Sequence, residues 1–171
     1  FLCGHDERHW FVAALPRNVG SIREAMESLK PEAAALSQHL NGVRPKDRNK
    51  RRNAGYIRQG EWFFLPAPAL EKRTDLLVHR DEPLRRGQGK PHRAQFLCRM
   101  GGETVYVNRN HQEGLTEEAY RAAVKAGEQA SSFFLATRDA AVYVKGKIAH
   151  PDHKTVELST WHRVIPNTEA A

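Results

Sequence analysis

The chain has 171 residues, 40% of them hydrophobic and 27% charged, with 27 Lys+Arg against 20 Asp+Glu, and this composition is typical of a folded protein. It contains no apolar run near the ~20 residues needed to cross a bilayer and no apolar signal-peptide segment at its start, and its two cysteines are too few for a disulfide framework. We therefore expect one soluble, cytoplasmic domain over residues 1–171, without a membrane partner.

The first quarter of the chain predicts one strand, followed by either two short helices or one helix kinked at Lys30–Pro31. The apolar run 10–15 is compatible with a buried strand. Ser21 is a suitable N-cap for the first helix. Pro31 suits the first position of a second helix, and Asn41–Gly42 is a good signal for its end.

Two hairpins are predicted in the middle of the chain. Gly60 interrupts the β-type run 56–65, which predicts either a tight hairpin or a strand with a bulge. The runs 93–99 and 104–108 flank Gly101–Gly102, and glycine readily adopts the positive φ angles of hairpin turns. We therefore expect these two runs to pair with each other.

The remaining segments complete an α+β pattern. Residues 76–79 are expected to form a short strand, and Pro and Gly in 82–91 predict a loop. Thr116 is a candidate N-cap for a helix that ends near Gly127. Alternation in residues 144–148 and 156–158 predicts a strand pair within 142–165 that turns at 150–154, and residues 161–165 extend or follow its second strand. The fold class predicted from these segments is α+β, a mostly antiparallel sheet of hairpin-connected strands with two to three short helices.

Excess positive charge is concentrated in two loops, at residues 43–58 and 84–93. The first loop holds seven cations against one acid, and without it the chain would hold 20 cations and 19 acids. Arginine predominates, and its planar guanidinium can donate two hydrogen bonds to one phosphate. We therefore predict a nucleic-acid partner, with RNA or single strands favoured because aromatic residues follow the first loop. The predicted phosphate-backbone contacts are Arg44, Lys46, Arg48, Lys50, Arg51, Arg52, Arg58, Arg85, Arg86, Lys90 and Arg93.

Other interpretations of these loops stay open. A basic loop can simply be solvated, or it can dock an acidic protein or an anionic lipid surface. The aromatic residues Tyr56, Trp62 and Phe63 fit a core strand better than an exposed stacking surface. The sequence contains no Walker loop and no zinc-finger spacing, so neither ATP hydrolysis nor a structural zinc finger is expected.

Histidines suggest a second function. The chain has nine of them, and five gather with acids in three groups, at 5–9, 79–82 and 150–153. Imidazole titrates near neutrality and can move protons in phosphodiester cleavage, and with carboxylates it can hold Zn²⁺, Mn²⁺ or Mg²⁺. The alternative prediction is therefore a small nuclease or phosphoesterase, metal-free or metal-assisted, with no other cofactor. Its candidate catalytic residues are His5, His9, His150, Asp152, His153 and His162.

The alternative interpretation of each histidine group is that its side chains are structural or exposed to solvent and have no catalytic role. Chain order does not show whether any of the groups converge in space. Ends of strands can gather on one rim of a sheet, which makes convergence physically reasonable.

Overall fold

The computed structural model describes residues 1–6 and 9–169, and at Asp6 and His9 it describes the backbone alone. The chain divides into two compact units, one formed by residues 1–98 with 142–171 and one by residues 99–141. The single domain expected from chain length stays a prediction.

The described residues contain three α-helices and ten strands. In chain order these are β1 (Leu2–Asp6), β2 (His9–Ala13), α1 (Ile22–Ser28), α2 (Glu32–Leu40), β3 (Ile57–Gln59), β4 (Trp62–Pro66), β5 (His79–Leu84), β6 (His92–Met100), β7 (Glu103–Val107), α3 (Glu117–Lys125), β8 (Phe134–Arg138), β9 (Ala141–His150) and β10 (His153–Pro166). The strands pair antiparallel, so the α+β prediction is confirmed. None of the described helices has the length and apolarity that a membrane crossing requires.

The two predicted helices of the first quarter begin and end close to their sequence signals. The Ser21 side chain accepts a hydrogen bond from the Glu24 amide and caps α1. Pro31 is the N-cap of α2, one position before the place predicted for it. Asn41 is the C-cap, followed by Gly42 with a φ of 62°, a conformation that glycine adopts without strain.

Six strands of the larger unit form one sheet in the order β3-β4-β10-β9-β6-β5. One face of the sheet holds the main core, to which β4, β5, β6, β9 and β10 all contribute. The Gln59 side-chain amide at the end of β3 donates to the carbonyls of Ile148 (3.3 Å) and Lys154 (2.7 Å), on β9 and β10. The β3–β4 turn is thereby brought to the β9–β10 turn.

β10 is the longest strand and pairs with two neighbours. It pairs with β9 from His153 to Arg163 and with β4 over its last five residues, so His162 and Arg163 have a partner on each side. The register shifts between Leu158 and His162, as in a β-bulge. A Glu71 carboxylate oxygen accepts the Trp161 amide there at 2.9 Å, so a side chain satisfies the N–H of this bulge.

β1 and β2 form a separate two-stranded sheet. The strand predicted at 10–15 exists, but its expected burial is wrong, since Trp10 is 79% and Val12 63% exposed. A two-stranded sheet is too small to bury both of its faces. The alternation of apolar and polar residues does not show which face packs against the core.

The smaller unit pairs β7 with β8, and α3 packs against β7. Thr116 caps α3 as predicted, accepting from the Ala119 amide, and Tyr120 stacks on Tyr106 at 3.9 Å between ring centroids. The predicted hairpin between 93–99 and 104–108 is wrong, because β6 belongs to the main sheet.

Two further predictions are corrected around β5. The strand expected at 76–79 begins only at His79, and residues 82–84, expected in a loop, form the end of the strand. Pro83 is tolerated because β5 is the edge of the sheet, where a missing N–H leaves no neighbour unpaired.

Candidate functional site

The β9–β10 hairpin brings two of the predicted catalytic histidines together. His150 is the last residue of β9, His153 is the first of β10, and they are partners across the strands. Their rings stack with centroids 4.7 Å apart. Pro151 and Asp152 form the intervening turn, as the sequence predicts.

A third histidine, His92, completes the cluster. It was not among the catalytic residues predicted from the sequence. It begins β6, a neighbour of β9, and its ring centroid lies 4.2 Å from that of His150 and 5.6 Å from that of His153. One nitrogen from each of the three rings lies within 4.8 Å of the other two. We name His92, His150 and His153 the histidine cluster.

His92 is held in the neutral form. Its side chain is 1% exposed. Burial, aided by the nearby His150 and His153, lowers the pKa of His92 to about 3. Neither ring nitrogen has a hydrogen-bond partner among the described residues. Buried polar atoms without a partner are rare, since each costs about 1–3 kcal/mol.

The tautomer of His150 follows from its two contacts. Its Nδ1 accepts a hydrogen bond from the Asp152 amide at 3.1 Å, so its proton lies on Nε2. That Nε2–H donates to the Lys90 carbonyl at 3.2 Å. The Lys90 ammonium in turn contacts both carboxylate oxygens of Asp152 at 3.1 Å. Lys90 and Asp152 therefore fix the orientation of His150.

The turn between β3 and β4 faces the cluster through Gly60. A Cβ at this position would lie 2.9 Å from His153 Nε2 and 3.5 Å from His92 Nε2. The φ of Gly60 is 57°. Only glycine leaves the space between this turn and the two ring nitrogens open.

A cavity of about 330 Å³ lies beside the cluster. His150 and His153 line it together with Gly60. Its apolar walls include Phe11, Phe63 and the exposed ring of Trp10. Its polar lining comprises Arg58, Glu61, Asp152, Asn167 and Glu169.

The other predicted catalytic histidines lie outside the cluster. His162 is buried further along β10, where its Nδ1–H donates to the Thr160 carbonyl at 2.8 Å. His5 is exposed on β1 with its ring edge-on to Trp10, a residue of the cavity wall. The side chain of His9 lies outside the described residues. His79 Nδ1 lies 3.8 Å from Glu82 Oε1.

Several predicted phosphate-binding cations are paired with carboxylates. Arg44 and Lys50 contact Asp47 at 3.0 and 2.6 Å, and their hydrogen bonds, that of Lys50 above all, lower the pKa of Asp47. Arg93 contacts Asp81 at 2.6 Å. These pairs reduce the positive charge that both loops present to solvent.

The two basic loops meet in part, at the cavity. Arg58 lines it, Lys90 contacts its residue Asp152, and Arg86 donates to its residue Asn167. Exposed cations of the loops outside the ion pairs described above include Lys46, Arg48, Arg52 and Arg85.

The arrangement provides three imidazoles: that of His92 is buried and neutral, and those of His150 and His153 lie at the wall of a cavity that Arg58 also lines. Such a set can move protons or hold a divalent cation next to an anionic substrate.

Comparisons with protein-family models, curated proteins and solved structures gave no match to this chain.

Proposed function

We propose that this chain is a phosphodiesterase that binds a nucleic-acid strand and cleaves it at the histidine cluster. The observation that carries the proposal is the convergence of His92, His150 and His153 within 4.8 Å, two of them lining a cavity that Arg58 also lines. Cations beside imidazoles suit a phosphodiester, because they offset the charge that develops on its oxygens during cleavage.

The cavity supports an unpaired nucleotide as the occupant. Its volume of about 330 Å³ is at the lower end of small-ligand sites. The exposed ring of Trp10 offers a base a stacking partner, which contributes roughly 1–3 kcal/mol. A base inside a duplex could not reach this wall without leaving the stack.

A cleavage assay tests the proposal. Labelled single-stranded RNA and DNA and their duplexes are incubated with the protein, with and without EDTA, and the products are separated by size. We expect cleavage of the single strands. His153→Gln is expected to reduce the rate by about 100-fold or more, as for loss of a group that moves a proton or holds a cation.

His79→Gln is the control, because it removes a histidine whose side chain is 40% exposed and lies outside the cluster. It is expected to keep the full rate. Intact substrate under every condition, or equal rates in the two variants, would contradict the proposal.

Nucleic-acid binding without cleavage is the second candidate function. It is favoured by the exposed cations Lys46, Arg48, Arg51, Arg52 and Arg85. Both functions suit the cytoplasm, where nucleic acid is present and where the exposed thiol of Cys3 would stay reduced.

A further inference from the structure

We infer that His92, His150 and His153 bind one divalent cation, and that Zn²⁺ is the cation their chemistry favours. Binding of the ion stands on the structure of the cluster alone, whereas its use in catalysis rests on the proposed phosphodiesterase function.

The spacing of the nitrogens is close to that of a metal site. Zn–N bonds of about 2.0–2.1 Å place the nitrogens of a tetrahedral site about 3.3–3.4 Å apart. In the cluster one nitrogen from each ring lies within 4.8 Å of the others. A rotation of the partly buried His153 ring, with a small shift of His150 about its contact with the Lys90 carbonyl, can draw the nitrogens together by the remaining ångström or so.

His92 supplies one ligand of the proposed site. It is buried and lacks a hydrogen-bond partner on either nitrogen among the described residues. Metals bind imidazole through such a ring nitrogen. A cation on one nitrogen would satisfy a buried polar atom that the protein leaves unsatisfied.

His150 has the outer contact that metal-binding histidines usually show. Such histidines commonly donate their second ring N–H to a carbonyl or carboxylate, which fixes the ring. His150 Nε2–H donates to the Lys90 carbonyl, so the lone pair that faces a cation is on Nδ1. The cation would replace the Asp152 amide, which now contacts Nδ1 at 3.1 Å.

Gly60 leaves room for the ion. The place where its Cβ would stand is 2.9 Å from His153 Nε2 and 3.5 Å from His92 Nε2. A methyl group at this position would therefore compete with the cation for the same space.

The ligand set favours zinc. Three imidazoles without a thiolate suit Zn²⁺ better than Mg²⁺ or Ca²⁺, which prefer oxygen ligands. Three protein ligands also leave a fourth position for water, as in catalytic rather than structural zinc sites. In this cluster that position would open to the cavity that His150 and His153 line.

Zinc-bound water loses a proton near neutral pH, and the resulting hydroxide is a strong nucleophile. Its oxygen would bond to the phosphorus of the substrate. The bond from phosphorus to the leaving sugar oxygen then breaks, the electron pair stays on that oxygen, and solvent water protonates it. The net reaction consumes one water and forms a phosphomonoester and an alcohol.

Metal titration without nucleic acid tests the inference. The full chain is stripped with a chelator and dialysed, and Zn²⁺ is added in competition with a chromogenic chelator. We expect one tight site per chain and a rise in the melting temperature. Co²⁺ in place of Zn²⁺ should give the intense visible absorption of four-coordinate cobalt.

Variants locate the site. Because loss of a contact outside the ligand shell already costs about 10- to 100-fold in affinity, His153→Gln and His92→Gln are expected to cost at least about 100-fold. His79→Gln is expected to bind like wild type. Circular dichroism checks the fold of each variant, and His153→Gln keeps the test informative if His92→Gln does not fold.

Two glycine variants give a matched comparison. Gly60→Ala and Gly42→Ala both place alanine at a positive φ, 57° and 62°, but a Cβ at Gly42 meets no described atom within 4 Å. Only Gly60→Ala is expected to lose zinc affinity. Equal effects of the two glycine variants, or wild-type affinity in His153→Gln, would overturn the inference.

Failure here is separable from failure of the proposed function. Zinc binding without cleavage would leave the metal site and remove the phosphodiesterase. Cleavage in EDTA by a chain that binds no zinc would leave the phosphodiesterase and remove the metal site.

Discussion

His162 couples protonation to stability through burial. It is 6% exposed and donates Nδ1–H to the Thr160 carbonyl. Burial, the largest effect, and the charge of Arg52 lower the pKa of His162, while the hydrogen bond to Thr160 acts in the opposite direction. In the unfolded chain the imidazole titrates near about 6.5. As the pH falls below that value the unfolded state binds the proton first, so the folded state loses stability.

We predict that His162→Gln weakens this pH dependence. The free energy of unfolding of the wild type should fall between about pH 7 and about pH 5, and the contribution of one such group is at most about 1.4 kcal/mol per pH unit. The variant should show a smaller fall, measured by urea denaturation at both pH values. His79→Gln serves as the comparison. Identical pH dependence in wild type and His162→Gln would show that the buried imidazole does not titrate as inferred.

Individual residues of the site were only partly predictable. His150, Asp152 and His153 were found because a turn between two alternating strands places its flanking residues side by side. His92 was missed, although it alternates with Ala94 on the buried face of β6. The alternation of buried and exposed residues along β6 indicates that His92 is buried. It does not indicate that β6 pairs with β9, because the two strands lie about 50 residues apart and the local sequence pattern does not encode such a pairing.

The elements of the fold were predictable where a local signal sets them. Ser21 and Thr116 cap α1 and α3 because a hydroxyl can accept from the first free amides of a helix. The glycine pair at 101–102 also predicts a turn, but a turn does not choose the partner of the strand that follows it. β7 therefore pairs with β8, about 30 residues later in the chain.

The cap of α3 gives a prediction at this scale. Thr116→Ala removes the acceptor for the Ala119 amide, a bond of 3.4 Å. Loss of an N-cap costs about 1 kcal/mol, so the amides of the first turns of α3 should exchange with solvent about fivefold faster. Hydrogen exchange read residue by residue measures the change. Thr116→Ser keeps the hydroxyl and should exchange like wild type, whereas equally fast exchange in both variants would argue against a role for the cap.

At the scale of the whole molecule, charge is distributed less simply than the sequence suggests. Asp47, Asp81 and Asp152 are paired with cations of the two basic loops. Exposed cations outside these pairs remain on the first loop at Lys46, Arg48 and Arg52. An electrostatic contribution to nucleic-acid binding is therefore expected to come mainly from this loop.

Replacing Arg48, Lys50, Arg51 and Arg52 together by alanine should weaken binding of single-stranded nucleic acid by orders of magnitude. For single strands the logarithm of the binding constant falls with the logarithm of salt by about 0.7 per phosphate contact, so the variant should also show a shallower slope. Fluorescence anisotropy across a salt series measures both quantities.

The matched control removes four exposed cations from elsewhere, by alanine substitution at Arg17, Arg23, Lys72 and Lys125. It loses the same formal charge but none of the first loop. Similar affinities and slopes for the two variants would mean that net charge, and not the loop, attracts the strand.

The fold class could be predicted from the sequence, whereas the order of the strands could not. Alternation, turns and caps indicated an antiparallel α+β protein, which is confirmed. The order β3-β4-β10-β9-β6-β5 arises from long-range pairing, for which the segments carry similar local patterns. The separation of residues 99–141 as a unit of their own was likewise not predictable from local sequence patterns.

The position of β10 has a consequence for how the protein is assembled. β10 follows the other five strands of its sheet in the sequence, yet it lies between β4 and β9. Until it joins, the β3–β4 hairpin with Gly60 and the strands that carry His92 and His150 are separate pieces with open edges. Residues 153–166 must therefore be in place before the two walls of the cavity can meet, and we expect the site to form only after this last strand has been synthesised.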